Sequence, residues 1–567
     1  MVELIYKSGM GEVRRGNKIR DISSYLEGVN SKRIAFEYLS NLEKQDINGV
    51  CLENIYTYDG IPLYIFCRNS ICIIVEEIVI CTIILKKIND EFEDDISVRT
   101  DSDIMFDLCS DIFNMKCEKI KAENNSLKIN RFKFLRRIAR GYYAYLKYKM
   151  KKNKKENILI FSHVVAINKL TRNGKEYYYD TQLGGIIDGL KNEYNIMNFQ
   201  LLSSVSLIDK ALKYKEDVIP YELFIAYKRQ INDKLINKNL IEDNTKAIHS
   251  MDFNFENIDL KNIVIKYAFA DFKFQCLSYL KEILAMKKLI KKNKIKKCIV
   301  IGEGDRGRCI ITAGNMCGIE TYALQHGTIS ETSSAYIYNL KRNFPIVPSQ
   351  TFAWGEKYKS LLINHNNMYN ENNVIVSGQP RTDLLFKDNY HTKSDAHEEI
   401  RILYATQATS YMEDLVYPPT EMLFKSINNL NKKYELIIKL HPGDFHVSDY
   451  EKMIKKYEIR NVKIVRESDL YDLIKWCDVI ITVHSTVAVE GAIFNKPSVC
   501  ILLSKYNDVA EFVKDGVSLG ARNEDELRNI LLNIKDNNNN EKMQQYLKYN
   551  FYKIDGNVNQ RILNIIK

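Results

Sequence analysis

DVIITVHSTVAVEGAIFNKPSV, residues 478–499, is the stretch from which the fold follows. DVIITV is short and apolar throughout, so it suits a strand buried on both faces, and not one with a wet side. The polar triplet His484–Ser485–Thr486 ends it, a helical run VAVEGAIF follows, and PSVCILL is a second buried strand. The same alternation runs upstream: RILYAT, a helix PPTEMLFKSINNL opened by prolines, ELIIKLHP, DYEKMIKKY, NVKIVRE and DLYDLIKW. Proline is well placed in a first helical turn. Strands alternating with helices imply a parallel sheet covered on both sides.

A comparable set lies farther upstream, beyond a polar stretch at 387–399: ILIFSH (158–163), a long amphipathic segment 265–291 ending in lysines, KKCIVIG, ETYALQ, QTFAWG and NNVIVSG. Lysines favour helix C-termini. The expected organisation is α/β, with an N-terminal Rossmann-like unit at 157–390, a C-terminal one at 391–567, and a cleft between them. Residues 1–130 form an α+β extension, in which the runs IPLYIFC and ICIIVEEIVICTIIL read as strands. Residues 131–156 form a basic, aromatic connecting helix. Within 131–155, eleven of 25 residues are Lys or Arg, interleaved with Phe134, Tyr142, Tyr143, Tyr145 and Tyr148. Such a helix suits an anionic membrane surface, and equally a solvated connector.

Bulk properties narrow the function. The 567 residues are 45% hydrophobic with a formal net charge of +10, modest for this length, which points to a local anionic partner and not to a nucleic-acid coating. No apolar run reaches the ~20 residues that span a bilayer, and no secretion signal opens the chain, so a cytoplasmic protein is expected. The twelve cysteines form no CxxC pair and read as buried, reduced thiols. Asp101–Ser102–Asp103 resembles a metal-binding triplet but sits in a polar loop-like stretch without further ligands; no metal site and no cofactor are expected.

In doubly wound sheets ligands bind at the carboxyl ends of the strands. Gly302–Glu303–Gly304–Asp305–Arg306–Gly307 is a G-x-G-x-x-G after a strand, yet the next strand ends in Gln325–His326–Gly327 and not in the acidic residue a dinucleotide ribose needs. That leaves Glu303 as a candidate general base. His326 is the second candidate, since histidine titrates near neutrality, and Gly327 would let backbone approach a ligand. In the C-terminal unit Lys439, His441 and Pro442 end one strand. Ser485 and Thr486 end another before a helix whose N-terminus suits phosphate, with Glu490 placed for ribose hydroxyls. Arg381 lies near the hinge.

QHGT (325–328), WGE (354–356), SGQPRTD (377–383), KLHP (439–442) and 478–499, in this order over about 295–505, resemble GT-B enzymes of surface-polymer assembly. These are the capsule Kdo transferases, the sialyltransferases with an HP motif, and the CDP-glycerol glycerophosphotransferases. The resemblance implies a metal-independent glycosyltransferase. In it His326 is the base, His441 a donor-phosphate ligand, Ser485, Thr486 and Glu490 further donor contacts, and Gln325 and Gly327 face the acceptor. The chain departs from the glycerophosphotransferases in having Gln325 before His-Gly, and Val483–His484–Ser485–Thr486 in place of Asp-Tyr-Ser-Ser. These departures favour transfer of a sugar, such as a CMP-linked acidic sugar, to a saccharide or lipid-linked acceptor at the inner face of the plasma membrane. The alternatives are polyol-phosphate transfer, UDP-sugar 2-epimerisation, and a non-catalytic nucleotide-binding scaffold.

Overall fold

The computed structural model describes all residues except 1, 8–9, 122–129, 152–154, 173–174, 231–235, 341–343, 388–397, 408–412, 505 and 535–539. Most of the polar stretch at 387–399, and the lysine-rich end of the basic segment at 152–154, therefore lie outside the described residues.

The N-terminal region is a five-stranded sheet of β1 (Val2–Lys7), β2 (Met10–Arg15), β3 (Lys18–Asp21), β4 (Ile96–Thr100) and β5 (Lys116–Lys119), ordered β3-β2-β1-β4-β5. Of the two apolar runs expected as strands, Ile61–Pro62 is a short strand paired with Thr57 and Tyr58, and the rest, from Tyr64, is one helix, α1 (Tyr64–Glu91). A helix buried nearly all round has no polar stripe, so its sequence carries no helical period to read. The surroundings of α1 explain that burial: one continuous core joins its residues Phe66, Val75 and Ile84 to Leu4 of β1 and to Leu159 and Val300 of the next unit. The extension is thus fused to the N-terminal Rossmann unit. Ser102, expected in a loop, caps the helix Asp103–Asp111 by accepting from the Met105 N–H (3.2 Å).

Helix α2 (Arg131–Met150) is two-sided. Arg137, Gly141, Ala144 and Tyr148 face inward, and any side chain at Gly141 would collide with Pro220, 2.0 Å from the added carbon. On the opposite face Phe132, Leu135, Tyr142, Tyr143, Leu146 and Met150 are exposed. Their three- and four-residue spacing makes a single apolar stripe, which helical geometry borders with Arg131 and Lys149 on one side and Arg136 and Lys147 on the other.

The first Rossmann unit contains β6 (Asn157–His163), β7 (Asn195–Leu201), helix α3 (Ile208–Lys213), β8 (Ile219–Pro220), β9 (Ile295–Ile301), helix α4 (Asp305–Asn315), β10 (Glu320–Leu324), β11 (Gln350–Ala353) and β12 (Val374–Val376). Its order is β8-β7-β6-β9-β10-β11-β12, with every neighbouring pair parallel. The second unit contains β13 (Ile400–Ala405), β14 (Tyr434–Lys439), β15 (Val462–Val465), β16 (Val479–Thr482), helix α5 (Val487–Ile493), β17 (Ser498–Ile501) and β18 (Leu519–Ala521). Its order is β15-β14-β13-β16-β17-β18, again all parallel. Both have their first strand at the centre, so the order reverses beside it. That reversal opens a crevice between β6 and β9 in one unit and between β13 and β16 in the other. Two such units facing each other are the GT-B architecture.

The chain crosses back over the hinge at its end. Helix α6 (Val558–Ile566) buries Val558, Ile562 and Ile566 in the core of the first unit. Its first N–H groups, on Val558 and Asn559, donate to the Asp383 carboxylate (3.0 and 2.8 Å). The last residue of SGQPRTD is therefore a helix cap.

Candidate functional site

The two crevices share one cavity of about 490 Å³. His163, His326 and Gly327 line it from the first unit; Thr406, Gln407, Lys439, His441, Pro442, His484, Ser485, Thr486 and Glu490 line it from the second, with Arg381 at the hinge. Of the residues expected from the sequence, only Glu303 and Gln325 are absent from this wall.

Their absence has a local cause. The Glu303 carboxylate is turned into the first unit, where it accepts from the Thr351 hydroxyl (2.7 Å) and from the Tyr369 hydroxyl. Burial raises its pKa. The structure thus gives it an internal polar knot and not a place in the cleft. Gln325 braces the turn from beneath: its side-chain oxygen accepts from the Trp354 N–H (2.9 Å), its carbonyl from the Trp354 indole (2.8 Å), and its amide donates to the Gly327 carbonyl (2.7 Å). The QHGT and WGE elements are two halves of one hydrogen-bonded support.

The glycine-rich turn serves His326. Gly302 has φ +72°, and a β-carbon there would lie 2.3 Å from His326 Nδ1. Gly307 is pressed to 2.4 Å from the Gly302 carbonyl oxygen by the same measure. The pattern lets the imidazole rest on the end of β9. The residue keeps solvent access on the cleft wall, and desolvation by the protein beneath it holds its pKa below the usual histidine value. It is neutral at pH 7 and able to accept a proton. Gly302→Ala is expected to displace the ring and lower kcat at least tenfold with the fold retained. Activity assays beside a thermal melt check this: the left-handed conformation alone costs about 1–2 kcal/mol.

The opposite wall is cationic. Lys439 donates to the carbonyls of Leu440 and Arg466 (2.9 Å each), and burial with Arg381 and Arg466 nearby lowers its pKa to about 8. Lys210, on α3 of the first unit, is buried, and burial with Lys439 and Arg381 beside it brings its pKa to about 7. It lines an adjoining pocket of about 270 Å³ with Lys439, Pro442 and Arg466. Crowded cations that depress one another favour an anion. His441 completes the set. Its Nδ1 accepts from the Gly443 N–H (3.0 Å), so the neutral ring carries its proton on Nε2, and burial beside Lys439 lowers its pKa to about 4. Its own N–H donates to Thr406 Oγ1 (2.9 Å), whose hydroxyl donates to buried Asp444 (2.6 Å), fixing the His-Pro turn.

Ser485 accepts from the Val487 N–H (3.3 Å) at the start of α5. That helix has only seven residues, so the side-chain cations carry most of the attraction for phosphate. Glu490, on α5, pairs with Arg381 (2.9 Å). Its second oxygen is buried without a hydrogen-bond partner among the described residues, and burial raises its pKa. A hydroxyl donor in the cleft would satisfy that oxygen. Among the described residues no cluster able to hold a metal ion is present.

His163, Lys210, Thr406, Gln407 and Arg466 are not singled out by the sequence, and His484, read there as part of a polar strand end, is given no role. His163 and His484 each end or follow a buried strand, as the chosen residues do; Lys210 sits in an ordinary helix and carries no such signal.

Residues 206–567 match the family of CDP-Glycerol:Poly(glycerophosphate) glycerophosphotransferases. The teichoic acid glycerol-phosphate primase of Bacillus subtilis is 30% identical over 205 residues, 35% of this chain and 52% of that protein, so the match spans about half of the relative's length. Among solved structures, the UDP-GlcNAc 2-epimerase of Neisseria meningitidis bound to UDP-GlcNAc aligns with a TM-score of 0.44 at 12% identity, covering 72% of this chain and 99% of that one. The wall teichoic acid polymerase TagF with CDPG aligns with a TM-score of 0.38 at 13% identity, covering 78% and 98%. With two parallel Rossmann units, histidines facing one another across the cleft and a match over most of its length, this chain belongs to the CDP-glycerol glycerophosphotransferase family of GT-B transferases.

Proposed function

We propose that the protein transfers glycerol phosphate from CDP-glycerol to an acceptor hydroxyl in assembly of a cell-envelope polymer. The family match supports polyol-phosphate transfer, the alternative drawn from the sequence, over transfer of a sugar. The observation that carries the reading is that Lys439, Arg381 and His441 line one cavity with His326, and that Lys210 of the first unit joins Lys439 in the adjoining pocket. The cations and the His441 Nε2–H hold the donor diphosphate. Glu490 and Arg381 take the ribose side. The acceptor oxygen attacks the phosphorus that bears glycerol, its proton passes to His326, and the bond to the cytidine phosphate breaks to release CMP. Fixed positive groups stabilise charge on that leaving phosphate without reorganisation.

Thermal shift with CDP, CMP, UDP and GDP tests the donor site. A nucleotide at 100 times its Kd adds about 2.7 kcal/mol. CDP should stabilise the protein most and His441→Ala should abolish the shift; equal indifference to all four would refute the site.

The exposed stripe of α2 supports contact with the inner membrane face, where a lipid-linked acceptor would be presented. No helix among the described residues is long and apolar enough to cross a membrane. The stripe supplies apolar area worth about 25 cal/mol per Å² buried, and each bordering Lys or Arg adds about 1 kcal/mol near anionic lipid. Co-flotation with phosphatidylglycerol vesicles is expected, reduced at least tenfold in F132S/Y143S/L146S and weakened by salt.

A further inference from the structure

A cavity of about 420 Å³ lies between α2 and the segment that begins with α3. Its mouth opens on the exposed stripe of α2. Tyr143 of that stripe lines it, and so does Ala139, which is exposed four residues after Leu135 and four before Tyr143, on the same face. Ala211 and Leu212 of α3, with Lys215 beyond it, form the facing wall. Gly141, packed on Pro220, closes the cavity behind.

Three cations line it: Arg137, Arg140 and Lys215. Arg137 is only 3% exposed. It donates to the Gln200 side chain (3.1 Å) and carbonyl (2.8 Å) and to Glu222 (3.3 Å), while its Nε is buried with no hydrogen-bond partner among the described residues. Burial lowers the Arg137 pKa, Glu222 opposes that, and Arg140 lowers it further, so the two guanidinium groups are neighbours. Arg140 donates to the carbonyls of Leu212 (2.5 Å) and Tyr214 (2.9 Å). These partners are neutral and leave its charge uncompensated, and a guanidinium with free donors is well suited to phosphate. Lys215 is exposed at the rim. Of the two carboxylates in the lining, Asp217 is neutralised by Lys147, and Glu216 stands beside Lys215.

The helix on the facing wall also carries a residue of the donor side. Lys133 of α2 pairs with Asp209 at the start of α3 (2.8 Å), and Arg140 holds the carbonyls at its end, so α2 grips α3 at both ends. Lys210, between those ties, lines the pocket it shares with Lys439. We infer that the cavity binds the phosphate of a phospholipid headgroup, and that its occupancy is passed through α3 to Lys210, so that the membrane-bound protein holds its donor more tightly than the free one. The phosphate bridges Arg140 and Lys215, and Glu216 accepts from hydroxyls of the headgroup. A lipid is the ligand, and not a soluble phosphate, because the mouth is continuous with an apolar stripe on which acyl chains have surface to cover. A ligand that fixes α3 removes part of the cost of ordering Lys210 for the donor, and linkage makes the effect reciprocal. The coupling rests on the donor reading above; the headgroup site does not.

Calorimetry on the full chain tests this with dihexanoyl phosphatidylglycerol kept below its micellar concentration, with inorganic phosphate, and with CDP in the presence and absence of the lipid. The lipid should bind the wild type, and inorganic phosphate, lacking apolar area to bury, roughly tenfold or more weakly. Saturating lipid should tighten CDP about fivefold or more, and CDP should tighten the lipid by the same factor. Lys215→Glu should weaken the lipid roughly tenfold or more and leave the lipid-free Kd for CDP unchanged, which also reports an intact fold. Lys133→Ala, outside the cavity, should still bind the lipid and lose most of the coupling. If the lipid does not bind, binds Lys215→Glu equally well, or is matched by inorganic phosphate, the headgroup site is overturned while the donor site stands. If it binds and CDP affinity does not change, the coupling through α3 is overturned. If CDP does not bind at all, the functional reading falls, and the lipid titrations still decide the headgroup site.

Discussion

Replacing His326 with alanine is expected to lower the transfer rate by a factor on the order of 10²–10⁴, the usual worth of a positioned general base, with CDP binding unchanged. His326 is the strand-end imidazole of the first unit, seated on Gly302 and held by the Gln325–Trp354 brace, and it faces the His441 side of the cavity. Glu303 cannot replace it, because both its oxygens are engaged away from the cleft. The pH profile distinguishes a base from a packing residue. Desolvation lowers the His326 pKa from its usual value, so wild-type kcat at saturating donor should hold at neutrality and fall as pH drops through that lowered value. In His326→Ala the residual rate should lose this acid limb. A variant that kept the limb, or lost less than fivefold, would assign the proton to another group.

The second large effect concerns the cations. Lys210→Met and Lys439→Met are each expected to weaken CDP binding by about 1.5–3 kcal/mol, the range for hydrogen bonds to charged groups, or roughly 10- to 150-fold in Kd. Their losses should not add, since the two share one pocket and Lys439 lowers the Lys210 pKa. The sign of the pH dependence follows from the same proximity. In the free protein Lys210 titrates at about 7 and Lys439 at about 8. A bound diphosphate favours the protonated forms, so its affinity should fall as pH rises through 7 to 8, and binding in that window should take up protons. Calorimetry in two buffers of different ionisation enthalpy measures the uptake, which should shrink in Lys210→Met. Affinity that rises with pH would contradict a cationic phosphate site.

How much of this was legible beforehand depended on whether the signal was local. The parallel sheets were, because DVIITV, ETYALQ and ELIIKL have apolar centres and are bounded by helices; the residues that follow them are His326, His441, Ser485 and Thr486. Helix α1 was not. Its residues from Tyr64 to Glu91 are buried nearly all round by partners distant in sequence, so no period distinguished helix from strand. Glu303 shows the limit of reasoning from strand ends: the rule locates the turn but not the direction in which its side chain points. Lys210 and Arg466 show another limit. They belong to different units and become one pocket only when those units face each other.

The most direct test of the central claim is mass spectrometry of products from the purified protein given CDP-glycerol, with octyl β-lactoside and tri(glycerol phosphate) offered together. The account predicts that one acceptor gains a glycerol phosphate unit and that CMP appears in equal amount, both abolished in His326→Ala. An acceptor left unmodified by CDP-glycerol, yet extended by a sugar from a CMP- or UDP-linked donor, would contradict it.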